Sequence, residues 1–256
     1  MNSSRGIEFG YWHAKARAHY IRMLIAYLGL EVNEVTYKTP QEWGQKKQEL
    51  AKSDHCPFPN LPYLVDGEIV ITETVAICKA LVLKASRPEM FGKTPADQVT
   101  HLSMMGVCAD LFSAFIAGPF KQNLEELRKG WPQFLEKNNI TQKLEGFCKT
   151  LGSRPFLLFY LTVADLQLTY MYDFFEYLSQ QTGVRNPFAD YPPLVNLHRN
   201  VWALPGLKGF MIHRLHRKIY TIPQAMAPYT TYDELEEVRK EDVVSAFMSK
   251  GKQLRK

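Results

Sequence analysis

Strand, helix and strand follow one another within about thirty residues at the start of this chain, and that order leaves few folds open. Ile7-Glu8-Phe9-Gly10-Tyr11-Trp12 is short, aromatic and roughly alternating, which predicts a strand. A loop, His13 to Ala18, follows. Ile21, Leu24, Ile25 and Leu28 then recur at the spacing of one helix face, and Gly29 supplies a stop. Alternation returns over Val32 to Tyr37. Two such strands joined by a helix imply a parallel crossover. After a polar stretch, Thr39 to Asp54, Asp66-Gly67 separates two apolar runs and predicts a tight hairpin between Tyr63–Val65 and Ile69–Ile71. Thr72-Glu73-Thr74 opens a further helix to about Lys84, with Ile77, Ala80 and Leu81 among its apolar positions. The order is βαβ, then ββα.

The second half reads differently. Ser86 to Gln98 carries Pro88, Gly92 and Pro95 with little periodicity, and reads as a linker. From Val99 to about Met211 nothing alternates like a strand. Leu166, Tyr170, Phe174 and Tyr177/Leu178 make one helical face. The expected organisation is residues 1–86, a mixed α+β domain; residues 98–212, an all-α domain; and residues 213–256, a charged extension.

Composition closes off some classes of function. The chain has 256 residues, a net charge of +5 and no basic block interleaved with aromatics in its body, so nucleic acid is not an expected partner. Cys56, Cys78, Cys108 and Cys148 form no C-x-x-C pair, so no metal site is expected and reduced thiols are. Met1 to Gly10 has no apolar signal region, and no stretch approaches the roughly 20 continuous apolar residues of a spanning helix. A cytoplasmic protein without a transmembrane segment is the expectation.

Pro62 interrupts an otherwise strand-like run and cannot donate to a ladder. Either a cis Leu61–Pro62 bond places it, turning the Leu61 backbone toward a ligand, or it simply enters the strand.

Several segments, taken together, resemble a known family. Gly10-Tyr11-Trp12, Ala18, Ile21-Arg22 and Leu24 resemble the opening of glutathione transferases of the mu and sigma classes. Trp43 with Lys47, Phe58-Pro59-Asn60-Leu61-Pro62-Tyr63 and Glu73-Thr74-x-Ala76-Ile77 continue it in order. Thr162-Val163-Ala164-Asp165, Tyr191-Pro192-x-Leu194 and Leu204-Pro205-Gly206-Leu207 match its later helices. The resemblance spans roughly residues 7–212. It implies a thioredoxin-like first domain, an all-helical second one, glutathione as co-substrate and a homodimer in which Phe58 is a candidate interface plug.

The chemistry it implies is economical. A free thiol titrates near about 8.5, so an enzyme using the glutathione sulfur must favour the thiolate. Lowering that value by about two units takes ~2.7 kcal/mol, and one hydrogen bond to a charged group supplies ~1.5–3 kcal/mol. By resemblance the Tyr11 hydroxyl is the donor. Glutathione would be held by Trp12, Arg17, Trp43, Lys47, Asn60, Leu61, Pro62, Glu73 and Thr74, with Asp110 reaching across a dimer interface. Thr74 at a helix start suits a carboxylate, and equally suits a cap. A hydrophobic electrophile would sit between the domains near Tyr11, Phe112, Phe115, Phe120 and Phe210.

Three departures stand against the family pattern. Ala16 replaces a loop glycine, which matters if that position needs positive φ. Phe159-Tyr160 replaces a Gly-Asp or Gly-Asn pair. The extension, opening with the basic run His213-Arg214-Leu215-His216-Arg217-Lys218, is either a solvated tail or a docking segment for a protein partner or an anionic surface. These departures motivate a second reading, a catalytically weak or silent subunit serving as a scaffold. Trp12 and Phe58 lean toward mu, Arg17 toward sigma.

Overall fold

The structure is a computed structural model that describes residues 6–118, 124–210 and 213. Phe120, and the extension expected over 213–256 except for His213, lie outside these residues.

Strand β1 (Ile7–Trp12) lies at the centre, parallel to β2 (Val32–Tyr37) and antiparallel to β3 (Tyr63–Asp66), which pairs with β4 (Ile69–Thr72). The sheet order is β2-β1-β3-β4. Helix α1 (His19–Leu28) makes the parallel crossover, with Ile21, Leu24 and Ile25 buried. Gly29 ends it at φ +64, its N–H reaching back into the last turn. Helix α3 (Thr74–Lys84) packs beside α1.

Two local expectations shift. The hairpin turn falls one residue later than predicted, at Gly67-Glu68, because Asp66 pairs with Ile69 and its carboxylate is held by Lys84 at 2.8 Å. Gly67 supplies the left-handed residue, at φ +64. The polar stretch after β2 is not a loop throughout: it contains helix α2 (Pro40–Leu50). Thr39 and Glu42 close a reciprocal capping box at its start, and Pro40 occupies the first turn. Trp43 stacks on Tyr63, whose hydroxyl donates to Glu8 at 2.8 Å. Gly10 is required beneath this layer, since a Cβ there would lie 2.0 Å from the Tyr63 ring.

The connection after α3 is short and anchored. A 3-10 turn, Pro88–Phe91, buries Met90 and Phe91. Thr94 and Asp97 cap α4 (Pro95–Ala117) with a second reciprocal box. α4 is long and apolar enough by length and composition to cross a membrane. In this fold it carries His101, Met105, Cys108 and Phe112 into the core, packed on α7 (Val163–Thr182). Helices α5 (Leu124–Lys137), α6 (Ile140–Leu151), α8 (Pro192–Trp202) and α9 (Pro205–Lys208) complete the described helical half. One continuous apolar core runs through both halves, because α1 packs on α7 and α9 as well as on α3.

The Thr162 box is built as expected. Buried Asp165 accepts from the Leu157 N–H at 2.8 Å, the Thr162 N–H at 2.7 Å and the Thr162 hydroxyl at 2.7 Å. The two residues before it are unusual. Phe159 has φ +65 and is 72% exposed, with the Arg154 guanidinium 4.5 Å from its ring centroid. The Tyr160 hydroxyl donates to Asp97 and accepts the Lys93 N–H, both at 2.8 Å, so it clamps the start of α4.

Candidate functional site

A cleft of about 500 Å³ opens where the C-terminal end of β1, the start of α3 and one face of α4 meet. Tyr11, Trp12, Ala16, Arg17, Asn60, Leu61, Pro62, Glu73, Thr74, Phe112 and Ile116 line it.

Alternation along β1 sends Ile7, Phe9 and Tyr11 to the buried α1 side of the sheet. Tyr11 is the member of that row nearest the cleft. Its hydroxyl accepts the Arg17 N–H at 3.2 Å. Burial raises its pKa above the ordinary 10.0, against smaller lowering effects from the Arg17 N–H and from the Arg22 and Arg17 charges. The hydroxyl therefore keeps its proton at neutral pH and has it free to donate, since its acceptor capacity is the part the Arg17 N–H uses.

Ala16 adopts φ +33, so the glycine-like turn is kept with an alanine in it. An L-residue in the left-handed region costs ~1–2 kcal/mol. Buried Arg22 donates to the Ala14 and Lys15 carbonyls just before Ala16. Arg17 then crosses to the helical half, its guanidinium 5.1 Å from the Phe112 ring centroid and 3.3 Å from Ser113 Oγ.

Leu61–Pro62 is cis. The Leu61 N–H donates to Asn60 Oδ1 at 2.9 Å, so a ligand pairing with that N–H must displace the Asn60 amide. Glu73, not Thr74, takes the cap position of α3, at φ +69, and Thr74 is the first helical residue. No side chain caps α3. Its first N–H groups and the Thr74 hydroxyl thus meet the cleft at the positive end of the helix dipole, an arrangement suited to a carboxylate.

The sequence-predicted residues divide clearly. Tyr11, Trp12, Arg17, Asn60, Leu61, Pro62, Glu73 and Thr74 share the cleft. Trp43 does not line it: it packs on Tyr37 and Tyr63. Lys47 is exposed on α2 and Asp110 is exposed on α4. Of the expected aromatic wall, Phe112 lines the cleft. Phe115 does not: it is fully buried among Trp131, Phe134, Phe174 and Phe175. Phe210 is also buried, stacked on Trp202. Ile116 was missed, although it lies one turn after Phe112 on the same helix face. A smaller chamber of about 20 Å³ continues behind Arg17 and Thr74, floored by Tyr20, Gln167, Tyr170 and Met171. It has room for about one water molecule. Its α7 residues carry no motif that sequence reading could pick out.

Comparison with known proteins points the same way as this geometry. The model described as "Glutathione S-transferase, N-terminal domain" matches residues 7–82, and that described as "Glutathione S-transferase, C-terminal domain" matches residues 109–214. The chain is 31% identical over 159 residues to glutathione S-transferase 2 of Gallus gallus, covering 59% of this chain and 67% of that one. It is 27% identical over 207 residues to the class-mu 26 kDa isozyme 51 of Fasciola hepatica, covering 80% and 87%. Among solved structures, rat hPGDS complexed with a quinoline superposes with a TM-score of 0.66 at 21% identity, over 83% of this chain and 99% of that one, a likeness of fold.

Proposed function

The chain belongs to the cytosolic glutathione transferase family and is mu-like, and from that premise we propose that it is a transferase in which Tyr11 activates the glutathione sulfur for attack on a hydrophobic electrophile. The observation that carries this reading is the protonated Tyr11 hydroxyl, oriented by the Arg17 N–H, in a cleft it shares with Trp12, Asn60, Leu61, Pro62, Glu73 and Thr74.

The roles proposed are those the family resemblance assigns to residues that share the cleft. The Tyr11 O–H donates to the thiolate and so favours it over the thiol. Arg17, with its guanidinium over Phe112, adds positive charge at the rim. The γ-glutamyl carboxylate meets the Thr74 hydroxyl and the open N–H groups of α3, and Glu73 accepts from the neighbouring ammonium. Asn60, Leu61 and Pro62 present backbone to the cysteinyl part. Trp12, in the cleft wall, serves the glycine end. Phe112 and Ile116 form the apolar wall for the electrophile.

Glutathione-resin retention and conjugation of a generic aromatic halide test the reading. Tyr11→Phe should keep retention and lose about 10–150-fold in turnover, the range that ~1.5–3 kcal/mol of hydrogen bonding spans. Absence of both retention and turnover in the unaltered protein would overturn it.

A homodimer is part of the proposal. Phe58, 76% exposed, and Val99 and Leu102 on α4 are apolar side chains uncovered in a single chain, and Asp110 lies exposed on α4 as well. Sedimentation should give the mass of two chains, and a single-chain mass for the unaltered protein would remove Asp110 from the site. The cytosol is the proposed compartment, supported by free Cys56, Cys78, Cys108 and Cys148.

A further inference from the structure

Arg22 is 0% exposed, on α1, and lines no part of the cleft. Its Nε donates to Glu34 Oε1 at 2.7 Å, and Glu34 is itself buried on β2. Its Nη1 donates to the Ala14 carbonyl and, at 3.5 Å, to that of Lys15. Its Nη2 donates to the Trp12 carbonyl at 3.2 Å. The guanidinium carbon lies 5.7 Å from the Tyr11 ring centroid and 5.9 Å from that of Phe9. One planar fork therefore reaches a carboxylate and three carbonyls in different directions. An ammonium, being a point charge, cannot do this.

The Ala14 and Lys15 carbonyls belong to the loop that departs most from the family pattern, and the Trp12 carbonyl ends β1 where that loop begins. Ala16 follows Lys15 directly, at φ +33, where an L side chain is disfavoured. Arg17, the next residue, supplies the N–H that fixes the Tyr11 hydroxyl. The connections run in series: Arg22 to the carbonyls of Trp12, Ala14 and Lys15, through the Ala16 turn, to the Arg17 N–H, to Tyr11.

We propose that Arg22 is a positioning residue for thiol activation, holding the loop so that Ala16 stays in its left-handed turn and the Arg17 N–H stays on the Tyr11 hydroxyl. The proposal rests on the Tyr11 reading given above. It assigns Arg22 a task that a glycine at position 16 would lighten, because glycine takes the same turn unaided.

Arg22→Lys keeps the charge and removes the fork. Its kcat should fall by about 100-fold, the cost of misplacing a reacting group by about 1 Å. KM for glutathione should stay near its original value. The acid limb of the pH profile of kcat/KM should move to higher pH, because a misaimed Tyr11 stabilises the thiolate less. Adding Ala16→Gly to Arg22→Lys should recover about tenfold or more, since neighbours in one network do not act additively. If Arg22→Lys does not fold, Arg22→Met with Glu34→Leu removes fork and counter-charge together and carries the same expectations. An unmoved acid limb in a folded variant overturns the proposal. So does an equal proportional loss with and without Ala16→Gly, or a loss confined to KM. Absence of turnover in the unaltered protein instead overturns the Tyr11 reading.

Discussion

Two loops in this molecule hold a side chain where the family pattern has glycine. Ala16, between β1 and α1, has φ +33, and Phe159, before α7, has φ +65. The backbone cost is of one kind, and the surroundings are opposite. The loop around Ala16 is buried, gripped by the Arg22 guanidinium and tied to Tyr11 through the Arg17 N–H. The loop around Phe159 turns its strained residue to solvent and is secured one residue later, by Tyr160 on Asp97 and Lys93. The difference teaches that strain matters to chemistry only where a hydrogen bond connects it to a reacting group. At Phe159 it can affect stability alone.

Valine sharpens this contrast most. A β-branched residue at φ +33 is a severe outlier, so Ala16→Val should shift the Arg17 N–H and cut conjugation by about 100-fold. Phe159→Val asks for the same class of backbone and should leave conjugation unaltered. Steady-state rates on both variants check this, and similar losses in the two would break the comparison.

Acid acts on the second region through two buried groups of opposite sign. His101 is buried, its Nε2 accepting the Ala164 N–H at 3.2 Å at the start of α7, and burial lowers its pKa to about 4. Its folded value lies below the unfolded ~6.5, so the unfolded chain binds more protons between those values. Stability from this group is complete above pH about 6.5 and is lost as pH falls toward about 4, on the order of 3 kcal/mol. Asp165, raised to about 6 by burial, has the opposite slope, favouring the folded state on acidification between its unfolded ~3.8 and its folded value. Denaturant melts of the parent and His101→Gln across this range separate the two, since only the His101 part disappears in the variant.

Glycine gives the smallest effect. Ala16→Gly and Phe159→Gly should each add about 0.5–1 kcal/mol, the relief of a left-handed side chain less the added freedom of the unfolded chain. Chemical denaturation measures both. Only Ala16→Gly should also change turnover.

The strands and their order along the chain were legible because two-residue alternation, the Gly29 stop and the hairpin glycine are local signals, whereas the pairing of β1 with β3 was not. Helix α2 escaped because its face is polar. Leu50 is its only buried residue, so periodicity says little, although Thr39-Pro40-Gln41-Glu42 spells out the capping box. That Tyr11, Trp12, Arg17, Asn60, Leu61, Pro62, Glu73 and Thr74 share one cleft was legible through short motifs. The electrophile side was not. Phe115 and Ile116 are adjacent on α4, one facing the core and one the cleft, and nothing in their identity says which. The sense of the Ala16 substitution was readable only as a condition, because φ is a property of the fold.

Gly10 and Tyr63 limit what descendants of this chain can become. With a Cβ on residue 10 meeting the Tyr63 ring at 2.0 Å, neither position can change first without cost, and the ring also carries the Trp43 stack. A mutational path through this half must therefore alter several residues at once. Met171, Gln167 and Ile116 line the cleft and its chamber from the helical half, and none of them is met by a Cβ at any described glycine, so single substitutions there can reach new pocket shapes one step at a time. Inheritance would then hold the nucleophile's half steady while selection retunes what it attacks.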